Sequence, residues 1–172
     1  MLIGIISDTH DNMENVLKAF RYFNEKNVGV VLHCGDWVAP FILEATTELN
    51  CPIKGVFGNN EGNRQPYYEK INDENLDVEI SDEGVLECEL DGKKIAVTHG
   101  HQPIILKLLL DSGKYDLVAS GHTHEERIES YNKTLHVNPG AVLGAKGLKV
   151  FEKFSVCLYD TEKNEAKIVY IK

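Results

Sequence analysis

Five short apolar runs in this 172-residue chain each end in a small cluster of glycine, carboxylate, amide or imidazole. Asp8-Thr9-His10 follows Leu2 to Ser7, Gly35-Asp36 follows Val28 to His33, and Gly58-Asn59 follows Ile53 to Phe57. His99-Gly100-His101 follows Ile95 to Thr98, and Gly121-His122-Thr123-His124 follows Asp116 to Ser120. Apolar runs of this length, rich in β-branched residues, read as buried strands. In α/β sheets ligands bind beyond the carboxyl ends of the strands, so the five clusters are expected to converge on one crevice.

The segments between the runs support a layered α/β chain. Asp11 or Asn12 can cap a helix whose apolar face is Met13, Val16, Leu17, Phe20 and Phe23. Pro40 is placed to start a second helix with Phe41, Ile42, Ala45 and Leu49 facing inward. From Asn60 to about Glu83 the chain is polar with no clear period. Val85 to Leu90 and Ile95 to His99 read as a hairpin around Asp91-Gly92, and Pro103 to Ser112 as a helix stopped by Gly113. The rest is β: Arg127 to Tyr131 with Thr134 to Asn138, then Phe154 to Asp160 with Ala166 to Ile171. With no repeat or low-complexity linker, residues 1–172 are expected to form one domain of two packed sheets with helices outside.

Five of the seven histidines, at 10, 99, 101, 122 and 124, sit in the clusters after the strands. Imidazoles, two carboxylates and an amide oxygen together suit manganese, iron, zinc, nickel or cobalt rather than copper(I) or an iron–sulfur cluster. These candidate ligands exceed the needs of one ion. Two ions about 3.5–4 Å apart, sharing a carboxylate, would use them efficiently, and such a pair is a recurring apparatus for phosphate ester hydrolysis.

The order of these blocks, from Asp8 to Asn138-Pro139-Gly140, resembles the calcineurin-like metallophosphoesterases, and among them the small bacterial and archaeal phosphodiesterases of the YfcE type. The resemblance implies a four-layer α/β/β/α sandwich. It assigns Asp8, His10, Asp36 and His124 to one divalent ion and Asp36, Asn59, His99 and His122 to the other, with Asp36 bridging. Manganese is the foremost candidate metal, with nickel, iron, zinc or cobalt as alternatives. The expected reaction is attack of a metal-bridging hydroxide on a small phosphodiester, with Asp36, Asn59, Asn60 and His99 as the catalytic positions and acid weakening the site as protons compete for the imidazoles. One position departs from the larger phosphatases of the family, which place histidine where this chain has Asn60 in Gly58-Asn59-Asn60-Glu61. An amide cannot serve as a general acid, so good leaving groups should be favoured.

Other residues have plainer readings. His33 and His136 are expected to be structural, and Cys34 a small buried filler; His101 either orients a ligand or meets substrate. Trp37, Tyr67 and Tyr68 either pack or contact a partner or nucleobase. The loop from Gly140 to Gly147 holds Lys146 but lacks P-loop spacing. A net charge of −9 with no basic run argues against a nucleic-acid-coating protein and makes a nuclease of the same family the weaker alternative. A non-catalytic interaction module is the other alternative, since one retromer subunit resembles this fold, but its pocket lacks a full ligand set. Four cysteines without a Cys-x-x-Cys pair, and no signal peptide or bilayer span, point to the cytoplasm, and a homo-oligomer is left open.

Overall fold

The computed structural model describes residues 1–146 and 149–172; Gly147 and Leu148, with the end of the 140–147 loop, lie outside the described residues. Two sheets stack face to face. The first runs in the order β13 (Glu165–Ile171), β12 (Phe154–Asp160), β1 (Leu2–Ile6), β2 (Val30–His33), β3 (Ile53–Val56) and β4 (Val78–Ser81). The second runs β5 (Val85–Leu90), β6 (Lys93–Thr98), β7 (Leu117–Ala119), β9 (Thr134–Asn138) and β8 (Arg127–Tyr131). A short antiparallel pair, β10 (Ala145–Lys146) with β11 (Lys149–Val150), was not expected from the sequence.

Alternation along the strands builds the layers. Ile3 and Ile5, Val30 and Leu32, Ile95 and Val97, Leu117, Ala119 and Val137 meet between the sheets. The opposite face of the first sheet, with Ile6, Val31 and Ile53, packs against Val16, Ala19, Phe20 and Phe23 of α1 (Met13–Glu25). Ala96 and Val118 on the second sheet take Leu106, Leu109 and Leu110 from α3 (Pro103–Asp111). This is the α/β/β/α sandwich. Each fully buried aliphatic side chain contributes roughly 1.5–3 kcal/mol of transfer free energy.

Two expectations needed correction. Pro40–Glu48 is a 3₁₀ segment rather than an α-helix, and it buries Ile42, Leu43 and Ala45 while Phe41 stays 45% exposed. Thr46 and Thr47 donate their hydroxyls to the carbonyls three residues back, at 2.7 and 2.8 Å, which competes with regular α-helical bonding there. The polar stretch after Asn60 contains α2 (Gln65–Asp73) and β4, whose Val78 to Ser81 pair in parallel with Ile53 to Val56.

Parallel pairing puts the carboxyl ends of β1, β2 and β3 on one edge of the first sheet, and those of β6, β7 and β9 on one edge of the second. The five polar clusters therefore leave the strands toward a common rim.

Candidate active site

The site is built from loops held in unusual backbone. Asp8, His10, Asp36, His122 and His124 all have positive φ, between 42° and 68°. Such conformations cost of order 1–3 kcal/mol each unless the surroundings fix them. Here the loop after β1 is laced to the loop after β2: the N–H groups of Asp8, His10 and Asp11 donate to the carbonyls of Gly35, Asp36 and Trp37 at 3.0, 3.1 and 3.3 Å. Asn138 does the same for the histidine loop, donating its amide to the Gly121 carbonyl at 2.8 Å and accepting from the Gly140 N–H at 3.0 Å.

Asp36 is almost fully buried. Its Oδ1 accepts the N–H groups of Asn59 and Asn60 at 2.9 and 3.0 Å, and its Oδ2 accepts the Asn60 side-chain amide at 2.6 Å. His99 Nε2 lies 3.3 Å from Oδ1, and His10 Nε2 lies 3.4 Å from Oδ2. Burial pushes this carboxyl up, but His99 and Asn60 override it and hold it well below the usual carboxylate range. The approach needs Gly58, because a Cβ there would collide with Asp36 Oδ1.

Asp8 is wholly buried, and its Oδ2 accepts the His122 N–H at 3.0 Å. Its Oδ1 lies 3.2 Å from His124 Nε2 and 3.8 Å from His10 Nε2. Burial raises this carboxyl too, and the nearby His10 and His124 imidazoles outweigh it, so it is also held low. Gly121 is required next to it, since a Cβ would strike Ser7 Oγ.

The imidazoles are aimed. His99 Nδ1 is 2.8 Å from the Cys34 carbonyl, and His124 Nδ1 is 3.3 Å from that of Ala145, so each Nδ1–H donates outward and each Nε2 faces the carboxylates. Burial lowers His99, but Asp36 more than compensates and raises it; Asp8 raises His124. Asn59 Oδ1 lies 3.0 Å from His99 Nε2, and the His122 ring sits 5.1 Å from that of His99. Ligating atoms of Asp8, His10 and His124 form one close group, and those of Asp8, Asp36 and His99 another, each within 4.8 Å. His122 and Asn59 border these groups.

This donor set fits a metal. Asp8 Oδ1 and His10 Nε2 are buried and make no hydrogen bond, which is costly for polar atoms unless a cation satisfies them. His101 stands at the edge, 5.4 Å from the His99 ring, lowered by burial and by its histidine neighbours. His33 stacks on Trp37 at 3.5 Å, accepts the Gly35 N–H at 3.1 Å and is pushed down to about 3 by burial. His136 pairs with Ser120 at 2.9 Å, Trp37 donates its indole N–H to the Val56 carbonyl at 3.0 Å, and Cys34 and Tyr67 are buried.

Sequence reasoning overlooked Glu61. Its two oxygens accept the N–H groups of Trp37 and Gly58 at 2.7 and 2.8 Å, clamping the loop that carries Asp36 to the loop that carries Asn59. The spacing Gly58-x-x-Glu61, in which a side chain reaches back three residues to a backbone N–H, is the signal that could have found it.

The family model for the calcineurin-like phosphoesterase superfamily domain matches residues 1–164. Phosphodiesterase MJ0936 of Methanocaldococcus jannaschii is 38% identical over 176 residues, with all of both chains covered. A solved structure of a novel archaeal phosphodiesterase superposes with a TM-score of 0.90 at 38% identity, covering 99% of this chain and 100% of that one. Yfce, a phosphoesterase from E. coli, shares the fold at a TM-score of 0.69 and 19% identity, covering 100% of both chains. So does zinc-complexed Vps29 from Entamoeba histolytica, at 0.69 and 17%, covering 99% and 98%.

Proposed function

Because this chain belongs to the calcineurin-like phosphoesterases, a family of phosphoric ester hydrolases, we propose that it is a dinuclear metal-dependent phosphodiesterase acting on small phosphodiesters. The observation that carries this reading is the meeting of buried Asp8 and Asp36 with His10, His99 and His124, two of whose facing atoms have no hydrogen bond.

Asp8, His10, Asp36 and His124 would hold one ion, and Asp36, Asn59, His99 and His122 the other. Supporting the shared role of Asp36, His10 lies against one of its oxygens and His99 against the other. Divalent cations bound there supply activation of a water nucleophile and neutralisation of the charge that builds on the phosphoryl oxygens. The chain's own part is to hold the ligands in register. Cys34 and Ala145 carbonyls fix the two imidazoles, and the Asn59 and Asn60 N–H groups fix Asp36. Manganese is our first choice of metal, then nickel, iron, zinc or cobalt. The described residues 1–146 and 149–172 are read as parts of one domain. Free thiols at Cys34, Cys51, Cys88 and Cys157 are in keeping with the reducing cytoplasm we assign to it, and no described helix is long and apolar enough to cross a membrane.

The test is metal analysis with a chelated control. About two ions per chain and loss of aryl phosphodiester hydrolysis on chelation are expected. Full-rate hydrolysis by rigorously metal-free protein would end this reading.

A further inference from the structure

Next to the carboxylate cluster the surface opens into a cleft of about 210 Å³, whose lining includes His124, Ala145, Phe151 and Tyr170 and one charge of each sign, Glu126 and Lys153. His124 belongs to both places: its Nε2 is 3.2 Å from Asp8 Oδ1, and Ala145, which accepts its Nδ1–H, is part of the cleft lining. The wall is fixed relative to Asp8. Leu143 N–H donates to the Asp8 carbonyl at 2.9 Å, Val142 N–H to that of Ser7 at 3.0 Å, and Phe151 N–H to that of Gly144 at 2.8 Å.

The lining has a definite chemistry. Phe151 and Tyr170 are 50% and 53% exposed, two large aromatic side chains left uncovered beside a site for a charged group. Lys153 Nζ sits 4.1 Å from the centre of the Tyr170 ring, and the Glu126 carboxylate lies beside the Tyr170 hydroxyl, so the ring is held between two charged groups. The volume is below the ~300 Å³ where pockets for drug-sized ligands begin, enough for one flat ring system and too little for a nucleotide chain.

We propose that this cleft receives one ester arm of the phosphodiester, a flat uncharged aromatic ring, while the phosphate lies on the carboxylate and imidazole cluster. The inference rests on the phosphodiesterase reading and narrows its substrates. An aryl group and a nucleobase share the required chemistry, since both offer a π face to Phe151 and Tyr170 and both fit the volume.

The experiment uses the manganese-loaded protein and p-nitrophenyl phosphodiesters whose second arm is methyl, cyclohexyl, phenyl or thymidine-5′-yl. With the leaving group constant, kcat/KM is expected to rise about tenfold from the cyclohexyl to the phenyl arm, mostly through KM. Phe151→Ala with Tyr170→Ala should bring that ratio toward one. An equal gain for the thymidine arm identifies a nucleobase, and a gain for phenyl alone a simple aryl group. A readout without turnover is calorimetric binding of phenylphosphonate against methylphosphonate, where the phenyl compound should bind more tightly in the wild type and not in the double variant. If every ester is inert but the phenylphosphonate preference persists, the phosphodiesterase reading falls and the cleft stands. Because the p-nitrophenyl arm is itself a flat ring, the phosphonates decide: equal binding of phenylphosphonate and methylphosphonate by the wild type, or a phenyl preference the double variant keeps, overturns the cleft.

Discussion

Asp8 and Asp36 follow neighbouring parallel strands in the same left-handed backbone, with φ of 53° and 59°, yet the protein treats their charges differently. Asp36 accepts three N–H groups spread over both oxygens. Asp8 accepts one, on Oδ2, and turns Oδ1 to His10 and His124 without a hydrogen bond to either. The loop after β2 thus carries a carboxylate balanced by the chain's own donors, and the loop after β1 one whose balance depends on a cation or a protonated ring. A preformed anchor and a cation-dependent arm stand side by side.

Asp36→Asn should have the largest effect. In the amide, one end can still accept from Asn59 and Asn60, but the other becomes an NH₂ facing the Asn60 NH₂, donor against donor. Activity is expected to fall by at least about 10³-fold with metal content. The metal-free protein should also lose about 1–3 kcal/mol, because a buried bond is broken. Asp8→Asn should also lose metal and activity, but with a smaller loss of metal-free stability than Asp36→Asn, since its Oδ1 has no hydrogen bond to forfeit and only its attraction to the facing imidazoles goes. Chemical denaturation of both variants in chelator checks the difference; the opposite ranking would break the contrast between the two loops.

Glu61→Gln tests what makes the Asp36 loop rigid. Two backbone donors need two acceptor oxygens, and glutamine offers one, leaving the N–H of Trp37 or of Gly58 unpaired. A loss of about 10–100-fold in activity or metal affinity is expected, as for other groups that support ligands. Rates near wild type at saturating metal, with unchanged affinity, would show that the loop holds without the clamp.

A pH series sharpens the comparison further. His99 and His124 are raised in the folded metal-free protein, so the stability they give is complete below their unfolded value near 6.5 and is lost as pH rises through the folded value. Asp8 and Asp36 are lowered, so their contribution is present above about 3.9 and is lost as pH falls below it. Metal binding runs the other way from the histidine effect, because ligand imidazoles must be neutral. The gap in melting temperature between loaded and chelated protein should therefore widen from about pH 6 to pH 8. Asp8→Asn should cut the His124 share of the alkaline loss in chelated protein more than the His99 share, which rests mainly on Asp36; a variant with the full loss would contradict the pairing.

Much of the site was readable because it depends on strand order and on residues that follow strands. Apolar runs ending in Asp8, Asp36, Asn59, His99 and His122 became neighbours once the strands were parallel, and parallel strands follow from the helices between them. The difference between the two carboxylates was not readable, since Asp36 takes its donors from Asn59 and Asn60, more than twenty residues away, which no local pattern encodes. Helix α2 escaped because Tyr67 is its one fully buried side chain, and β4 because Ile80 is its one buried residue, too little apolar content to show a period. In the Pro40–Glu48 segment, apolar residues spaced by three suit a 3₁₀ turn as well as a helix face, and the sequence reading assigned Phe41 to the wrong side.

The smallest effect is expected at Asn60, and it bears on the Asp36 side of the comparison. Its side chain is turned onto Asp36 Oδ2 rather than standing free as a proton donor would. Asn60→Ala removes that bond, but two backbone donors remain on Oδ1, so hydrolysis of esters with good leaving groups should fall by less than about tenfold. The wild type lacks a general acid at this position, so its rates should drop steeply along a series of phosphodiesters with leaving groups of rising pKa. Asn60→Ala should leave that slope unchanged, because it takes away a hydrogen bond to Asp36 and no proton source. Asn60→His should flatten the slope where the ring reaches the leaving oxygen, at the expense of the Asp36 contact. A shallow slope in the wild type, with chemistry rate-limiting, would mean that another group such as His101 protonates the leaving oxygen. Asn60 would then matter only through its hold on Asp36.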